Sequence, residues 1–490
     1  MDLIMHTVGK RVLLFGSGLV SKPVLIYFAQ FDGYKVTVVT NDKPSGDDLV
    51  RDFKGKAECV VAKIEDKETC LKLVKEHDIA LSLLPATLHP IVADYCLEAG
   101  KHMVTTSYLN PVIEKKNPEI VKKGLIFLNE VGLDPGIDHI VTLKMIDDVR
   151  QKGGKIRGLY SYCGGLITPD CIDNPLCYKF SWSPLGVFRA LGNDAKYLMN
   201  GKIVNVPGKD LLYDSQDFNV NNALNIVKYP NRDSLKYREM YGIPEAESVY
   251  RGTFRYKGFC EIIAAFKDLG FLSETKVTPN CSTWLQMVKE NIKGVSKNQT
   301  IFTEAEAKVL LSDLTKEYSG SIDEFILLAK ITENPFWKTL EKSKAIDRVK
   351  LIVEGLIFFN LLDGKTHLNP SKTYLENFLD RVTPLMQLKK TDSDCVVMTI
   401  ILEAIYGKTQ VHEDLRFQMI INGDKGGLSA MSKTVGYPIA IASKLILDGK
   451  ITRPGVIGPF TSDVYGPMYD ELVRMNLIQK YTVKQFKPKL

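Results

Sequence analysis

Along its first quarter the chain alternates short apolar runs with amphipathic ones. After Arg11 it reads VLLF, then the turn GSGLVSKP, then the helix-periodic VLIYFAQF, then KVTVVT. A short apolar run bounded by turn residues is a buried strand, and apolar residues recurring every three or four positions mark one face of a helix. These segments therefore predict a βαβ unit. The alternation continues through AECVVAK, ETCLKLVKEH, IALSLLP, HPIVADYCLEAG, HMVTTS, a short helix and LIFLNE. Strands and helices at this spacing build a doubly wound parallel sheet, so residues 10–130 are read as a Rossmann-type α/β domain.

The texture changes after Gly132-Leu133-Asp134-Pro135-Gly136. IRGLYSYCGGL and EVGLDPGID read as rich in glycine turns, and aromatic residues crowd together from Tyr160 to Phe188. A second, mixed α/β domain is expected over 131–231 and about 390–430. Between them, STWLQMVKENIKGV, EAEAKVLLSDLTKEY and AIDRVKLIVEGLIFFNLL carry the helical period, which predicts a mainly helical insertion over 232–389. DCVVMTIILEAIYGK and RFQMIINGD return to strand character, and GGLSAMSKTVGYPIAIASKLILDG reads as a long helix stopped by glycine. The stretch from about 430 to 490 is expected to fold back on the first two domains.

With 490 residues there is room for two or three domains. Charge narrows the function classes. A net +6 from 64 basic and 58 acidic residues is a mild excess, without the basic stripe of a nucleic-acid binder. Nine scattered cysteines with no Cys-x-x-Cys spacing point to a reducing compartment and no zinc site. No signal pattern opens the chain and no apolar run is long enough to span a membrane, so a cytoplasmic protein is expected. The terminal Pro488-Lys489-Leu490 resembles a degenerate peroxisomal tripeptide, and the basic tail from Lys484 to Lys489 reads as solvated.

Candidate chemistry begins at Gly16-Ser17-Gly18. A glycine turn between a buried strand and a helix lets backbone N–H groups face a pyrophosphate; the bland alternative is a tight βα turn. Ser21 stands where the usual fingerprint has a third glycine, and Pro23 falls in the helix's first turn. At the end of the second strand, Thr40-Asn41-Asp42-Lys43 carries conflicting signals. Asp42 argues for NAD, whereas the neutral Asn41 followed by Lys43 tolerates NADP. The cofactor is NADP or NAD, with the balance on the NADP side.

Asp134, in Leu-Asp-Pro-Gly before a helix, reads by itself as an N-cap or turn residue. Asp138-His139 is a poor metal site, since adjacent residues face different ways and no third ligand is evident. Arg232 in YPNRDS and Arg255 in RGTFRYKGF can take carboxylates bidentately, although surface or packing roles are the commoner fate of such residues.

Taken together, GSGLVSKPV, SLLPATLHP, VTTSY, NEVGLDPGIDH, YCGGL, NPLCYKFSWSPLGV, YPNRDS, RGTFRYKGF and GLSAMSKTVGYP resemble the glutamate-forming saccharopine dehydrogenases, also called saccharopine reductases, in family order from residue 11 to about 478. The resemblance implies that Ser17, Gly18, Leu19 and Val20 hold the pyrophosphate. It implies that Thr106, Ser107, Leu133, Asp134 and Pro135 border the nicotinamide, with a contribution from Ser183. Its substrate contacts fall at Ser107, Tyr108, Asp134, Arg232, Thr253, Phe254 and Arg255, and its proton-handling residues at Asp134, Cys163 and Tyr108. Two positions depart: Lys63 stands where relatives have an acid after the third strand, and Asn41 replaces the arginine or acid found in NADP- or NAD-using members.

The reaction implied interconverts saccharopine with L-glutamate and 2-aminoadipate 6-semialdehyde through an imine, in lysine synthesis or breakdown. Two rivals remain: a carboxyspermidine-type dehydrogenase, disfavoured by the arginines, and a non-catalytic nucleotide-binding protein, disfavoured by Asp134, Cys163 and Tyr108. Partners are small molecules, with neither nucleic acid nor membrane. A homodimer is compatible with the sequence, which does not reveal the oligomeric state.

Overall fold

The computed structural model describes residues 9–221, 223–295, 301–312, 323–333, 341–407 and 411–486. The terminal Pro488-Lys489-Leu490, the end of the basic tail and the first eight residues lie outside them.

Six strands open the fold: β1 (Lys10–Phe15), β2 (Tyr34–Thr40), β3 (Ala57–Val61), β4 (Ile79–Ser82), β5 (His102–Thr105) and β6 (Ile126–Leu128). All fall on the apolar runs named above. Val12, Leu13, Leu14 and Leu81 are fully buried, as expected of strands covered by helices on both faces. Downstream come β7 (Gly154–Ile167), β8 (Ala195–Met199), β9 (Lys202–Val206), β10 (Gln216–Phe218), β11 (Ile226–Pro230), β12 (Ser248–Tyr256), β13 (Asp394–Tyr406), β14 (Val411–Asn422), β15 (Gly455–Ile457) and β16 (Thr482–Phe486).

The first sheet runs β15-β6-β5-β4-β1-β2-β3, with every pairing parallel. Its strand order reverses between β1 and β4, so the crevice that binds ligands in such sheets opens at the carboxyl ends of these two strands. The second sheet is mixed, in the order β10-β11-β12-β7-β13-β14-β16 with β8 and β9 attached at β12.

Pleat alternation gives the second sheet two different faces. Val249 of β12, Leu159 and Cys163 of β7, and Val396, Met398 and Ile400 of β13 join a core shared with the helices Ile137–Gln151 and Ala430–Leu447 and with the first sheet. The alternate residues Tyr162, Phe254, Tyr256 and Val397 join a core with the helices of the insertion. At these positions of β7, β12 and β13 the two parities therefore face different partner layers.

Three expectations are corrected. The Tyr-Cys-Gly-Gly-Leu stretch is not a turn but the interior of β7. Its glycines permit close packing: a Cβ on Gly164 would lie 2.6 Å from the Cβ of Phe254, and one on Gly165 would lie 2.5 Å from the Met431 methyl. The stretch from 232 is not mainly helical at its start, because β12 lies within it and pairs in parallel with β7 in the middle of the mixed sheet. Its RGTFRY run is polar at alternate positions, which weakens the apolar strand signal; a short helix, Lys236–Met240, precedes it, and the longer helices begin with Phe259–Asp268. The C-terminal stretch divides: β15 extends the first sheet, while β16 pairs with β14 in the second.

Candidate active site

At the nucleotide end, β1 runs into the glycine turn. Gly16 has φ +108°, and a Cβ there would lie 3.2 Å from the Leu83 carbonyl oxygen, so the turn demands glycine. Ser21, at the place of the third glycine, is fully buried and its hydroxyl donates to the Gly16 carbonyl at 3.0 Å, closing the turn from inside. Gly436 of the helix Ala430–Leu447 makes the close approach there, where a Cβ would sit 2.5 Å from the Val20 oxygen. A Cβ on Gly18 would meet no atom within 4 Å. The turn thus presents bare backbone to open space beside a helix start, which fits a pyrophosphate. Leu19 at its tip is exposed.

At the end of β2, Ser17 Oγ donates to Thr40 Oγ1 at 2.8 Å, and Ser45 Oγ donates to the Ser17 carbonyl at 3.0 Å. Asp42 caps the helix Lys43–Val50, accepting from the Ser45 N–H at 3.4 Å. Asn41 is exposed.

The reactive end is built by the ends of β5 and β6. Behind Ser107 lies His89, whose Nε2 is 2.8 Å from Ser107 Oγ and 3.1 Å from Thr105 Oγ1, and whose Nδ1 is 2.8 Å from Ser82 Oγ. Burial lowers the imidazole pKa to about 4, so His89 is a neutral strut between two strands. Thr106 abuts Gly132, whose Cβ would lie 3.0 Å from its own, and this packs the β5 end against the segment leading to Leu133, Asp134 and Pro135. The Asp134-Pro135 peptide is cis.

Asp134 is no helix cap. The helix starts at Ile137 behind Gly136, and the Gly136 N–H donates to Asp138 Oδ1 at 2.6 Å. The Asp134 carboxylate instead accepts from the Tyr108 hydroxyl at 3.3 Å and from the guanidinium of Arg251. The same Arg251 nitrogen donates to Asp138 Oδ2 at 2.7 Å. Arg251 is buried, with its guanidinium 4.4 Å from the ring centre of Tyr237.

Burial raises the Asp134 pKa; the positive Arg251 opposes the rise and the negative Asp138 adds to it. Burial likewise raises that of Tyr108, which stays a neutral O–H donor. A second buried set stands behind. Glu130, at φ 59°, accepts from the Leu109 N–H at 2.9 Å with one carboxylate oxygen. Its other oxygen lies 2.9 Å from His139 Nε2, and His139 Nδ1 lies 2.5 Å from the Tyr241 hydroxyl. Tyr108 is thereby tied to the helix that carries Asp138.

Arg251, Thr253 and Arg255 alternate along β12 and so lie on the face that holds Cys163, with Thr253 opposite Cys163 in the register. Burial, reinforced by the negative Asp134, pushes the Cys163 pKa well above that of an ordinary thiol, so Cys163 carries its proton. Arg255 is buried beside Tyr178 and Phe259, 5.1 and 5.2 Å from their ring centres. Its guanidinium donates to the Phe254 carbonyl at 2.8 Å, and among the described residues its Nε has no partner. Exposed Arg232 and Lys236 lie over the Tyr108 ring at 5.4 and 5.3 Å.

The fold thus gathers Tyr108, Asp134, Cys163, Thr253 and Arg232, with Ser107 behind Tyr108 and Arg255 further along β12. One expected contact is not of the expected kind. The Phe254 side chain belongs to the opposite face, fully buried and stacked on Tyr162 at 5.4 Å, so only its backbone faces the site. Ser183 caps the helix Pro184–Ala190, accepting from the Gly186 N–H. Sequence reasoning missed Arg251, Glu130 and His89, and weighed Asp138 and His139 only as a metal pair. Arg251 was within reach, since a period of two joins it to Thr253 and Arg255; the others show no spacing that marks them.

A Rossmann sheet whose glycine turn opens toward a buried carboxylate, tyrosine and arginine set beside a second sheet defines a dinucleotide-dependent dehydrogenase with a separate substrate layer. Residues 12–128 match the saccharopine dehydrogenase NADP binding domain, and residues 132–478 match the saccharopine dehydrogenase C-terminal domain. The chain belongs to the saccharopine dehydrogenase family. It is 36% identical over 469 residues to the Saccharomyces cerevisiae saccharopine dehydrogenase [NADP(+), L-glutamate-forming], covering 95% of this chain and 97% of that one. It is 33% identical to the mitochondrial alpha-aminoadipic semialdehyde synthase of Bos taurus, of which it spans 46%. The structure of apo saccharopine dehydrogenase (L-Glu forming) from Saccharomyces cerevisiae superposes with a TM-score of 0.80 at 34% identity, covering 98% of this chain and 100% of that one.

Proposed function

We propose that this chain interconverts saccharopine and water with L-glutamate and 2-aminoadipate 6-semialdehyde, using NADP. The observation that carries the reading is the Tyr108–Asp134–Arg251 cluster at the carboxyl edge of the Rossmann sheet, facing Cys163 and two further arginines. When bound, the nicotinamide supplies hydride transfer at the carbon attached to the secondary amine nitrogen of saccharopine. NADP fits better than NAD because Asp42, the acid at the ribose position, is engaged as a helix cap and Asn41 is neutral.

Arg232 and Arg255 offer their guanidinium groups to substrate carboxylates, of which saccharopine has three. Arg255 supports this most directly, since a buried cation without a carboxylate partner is costly unless an anion arrives. Asp134 is our proposed proton carrier. Its raised pKa brings it toward the working range of a general acid and base, so it can take the amine proton before oxidation and help deliver water to the imine carbon afterwards. Tyr108 hydrogen-bonds that carboxylate; in the direction that joins the semialdehyde to glutamate it donates its proton to the oxygen of the forming carbinolamine, and in hydrolysis it takes that proton back as the carbinolamine collapses to the aldehyde. Cys163, held as a thiol, offers a neutral donor on the opposite wall. The apolar second-sheet core behind Cys163 limits water around the imine until hydrolysis.

No helix among the described residues is long and apolar enough to cross a membrane, and we propose a cytoplasmic location with a homodimer as the assembly to be tested by light scattering. Saccharopine-dependent reduction of NADP set against NAD, with the purified chain, tests the activity. Absence of turnover with both nucleotides, in a folded preparation that binds them, would overturn it.

A further inference from the structure

The reading of NADP as cofactor leaves one part unassigned: the cation that receives the 2′-phosphate. Discrimination between the two nucleotides rests on that phosphate, which sits at the carboxyl end of β2 in a Rossmann sheet and is met there by a basic side chain. The residues of β2 and its turn do not supply one. Asn41 is neutral, and the Asp42 carboxylate accepts the Ser45 N–H. Lys43 is the first helical residue, and its ammonium is 2.5 Å from Asp47, one turn further along the helix and away from the strand end. The hydroxyls of Ser17, Thr40 and Ser45 bond to one another and to backbone.

The neighbouring strand brings a cation to the same edge. β3 pairs with β2 in parallel, with Thr40 opposite Val61, and the Ala62 N–H donates to the Thr40 carbonyl at 2.9 Å. That bond carries the pairing one residue beyond the strand and sets Ala62 opposite Asn41, so Lys63 leaves the sheet one residue past that pair, with adjacent strands about 5 Å apart. Its backbone is fixed, because the Lys63 carbonyl accepts from the Asp66 N–H at 3.0 Å and from the Cys70 thiol at 3.4 Å.

Its side chain is exposed, and among the described residues it makes no ion pair. Nearby lysines and Arg51 do: Lys22 with Asp52, Arg51 with Asp48, and Lys67 with Glu98. The two acids that follow are turned to other work. Asp66 caps the next helix through the Thr69 N–H, and Glu65 lies toward Cys70 and Tyr95, whose ionisation its charge opposes.

From this geometry we infer that Lys63 is the 2′-phosphate receptor of this chain and sets its preference for NADP. The assignment has the form of a compensation: the strand that normally provides the cation ends in a neutral residue, and the adjacent strand provides it instead.

The test measures binding of 2′,5′-ADP and of 5′-AMP by calorimetry to the full-length wild type and to Lys63→Ala, Lys63→Glu and Lys43→Ala. Both sites are exposed, so the three variants are expected to fold. Lys63→Ala is expected to weaken 2′,5′-ADP by about tenfold, the scale of one hydrogen bond to a charged group, and to leave 5′-AMP unchanged. Lys63→Glu is expected to remove the preference for the phosphorylated ligand, and Lys43→Ala to keep it. Wild-type discrimination in Lys63→Ala, an equal loss of both ligands, or a loss confined to Lys43→Ala would overturn the assignment while the NADP reading stands. A wild type that binds the two ligands equally would overturn the NADP reading itself, and this inference with it.

Discussion

Replacing Arg251 with methionine removes the one positive charge that two carboxylates share. In the native fold its guanidinium donates to Asp134 and Asp138 and is 2% exposed, against 15% for Asp134 and 1% for Asp138. Methionine restores part of the apolar volume but leaves both acids facing each other in a poorly solvated space. Breaking a buried pair from one side costs about 3–5 kcal/mol, and losing the contact with the Tyr237 ring adds about 0.5–2 kcal/mol. The expected loss is therefore about 4 kcal/mol near neutral pH.

The pH dependence gives the sharper test. Asp134 has a raised pKa in the folded state, so the stability it contributes is fully present below its unfolded value and is lost as pH rises through the folded value. Arg251 opposes that rise; without it the folded value climbs further and the window of loss moves upward. The stability deficit of Arg251→Met should accordingly be larger at about pH 8 than at about pH 5.5. Adding Asp138→Asn should recover about 1–2 kcal/mol through non-additivity. Urea denaturation of the wild type, the single variants and the double variant, followed by fluorescence at both pH values, reads all of these. A deficit equal at the two pH values, or unchanged by Asp138→Asn, would refute the argument that charge compensation is the role of Arg251.

Gly18→Val should keep its melting temperature, since a Cβ there meets no protein atom within 4 Å, yet lose nucleotide affinity by at least about tenfold because the branched chain fills the pyrophosphate approach; unchanged affinity by calorimetry rejects the assignment of the turn. Arg255→Met should fold at least as stably as the wild type, because it removes a buried guanidinium whose Nε has no partner, and should raise KM for saccharopine by about tenfold. A cooperative loss of stability without a KM change would make Arg255 structural. Asp134→Asn should lower kcat by about 100-fold or more, the lower range of general acid–base catalysis, with nucleotide affinity retained; wild-type turnover would falsify the proton-carrier role.

What the amino-acid sequence determined by itself is the part of the molecule whose causes are local. The strands β1 to β6 were legible because each is a short apolar run bounded by turn residues and helix-periodic segments. The glycine turn was legible because a positive φ at Gly16 and an open approach at Gly18 are backbone requirements that only one residue type meets well. The functional motifs could be placed through a family resemblance, which carried Tyr108, Asp134, Cys163 and the arginines without saying how they touch.

Contact was decided by tertiary structure. Arg251 meets Asp134 across 117 positions of chain, and His139 meets Tyr241 across 102; no period or spacing encodes such pairs, because the chain between them is free to vary. The same cause explains the errors. Asp134 has the local signature of a cap, but a guanidinium arriving from another strand claims its carboxylate. Tyr-Cys-Gly-Gly-Leu has the signature of a turn, but Phe254 and Met431 pack where side chains on its glycines would be, and β12 and β13 supply its hydrogen-bonded partners. A residue's type limits which bonds it can make, while the fold decides which groups come close enough to make them.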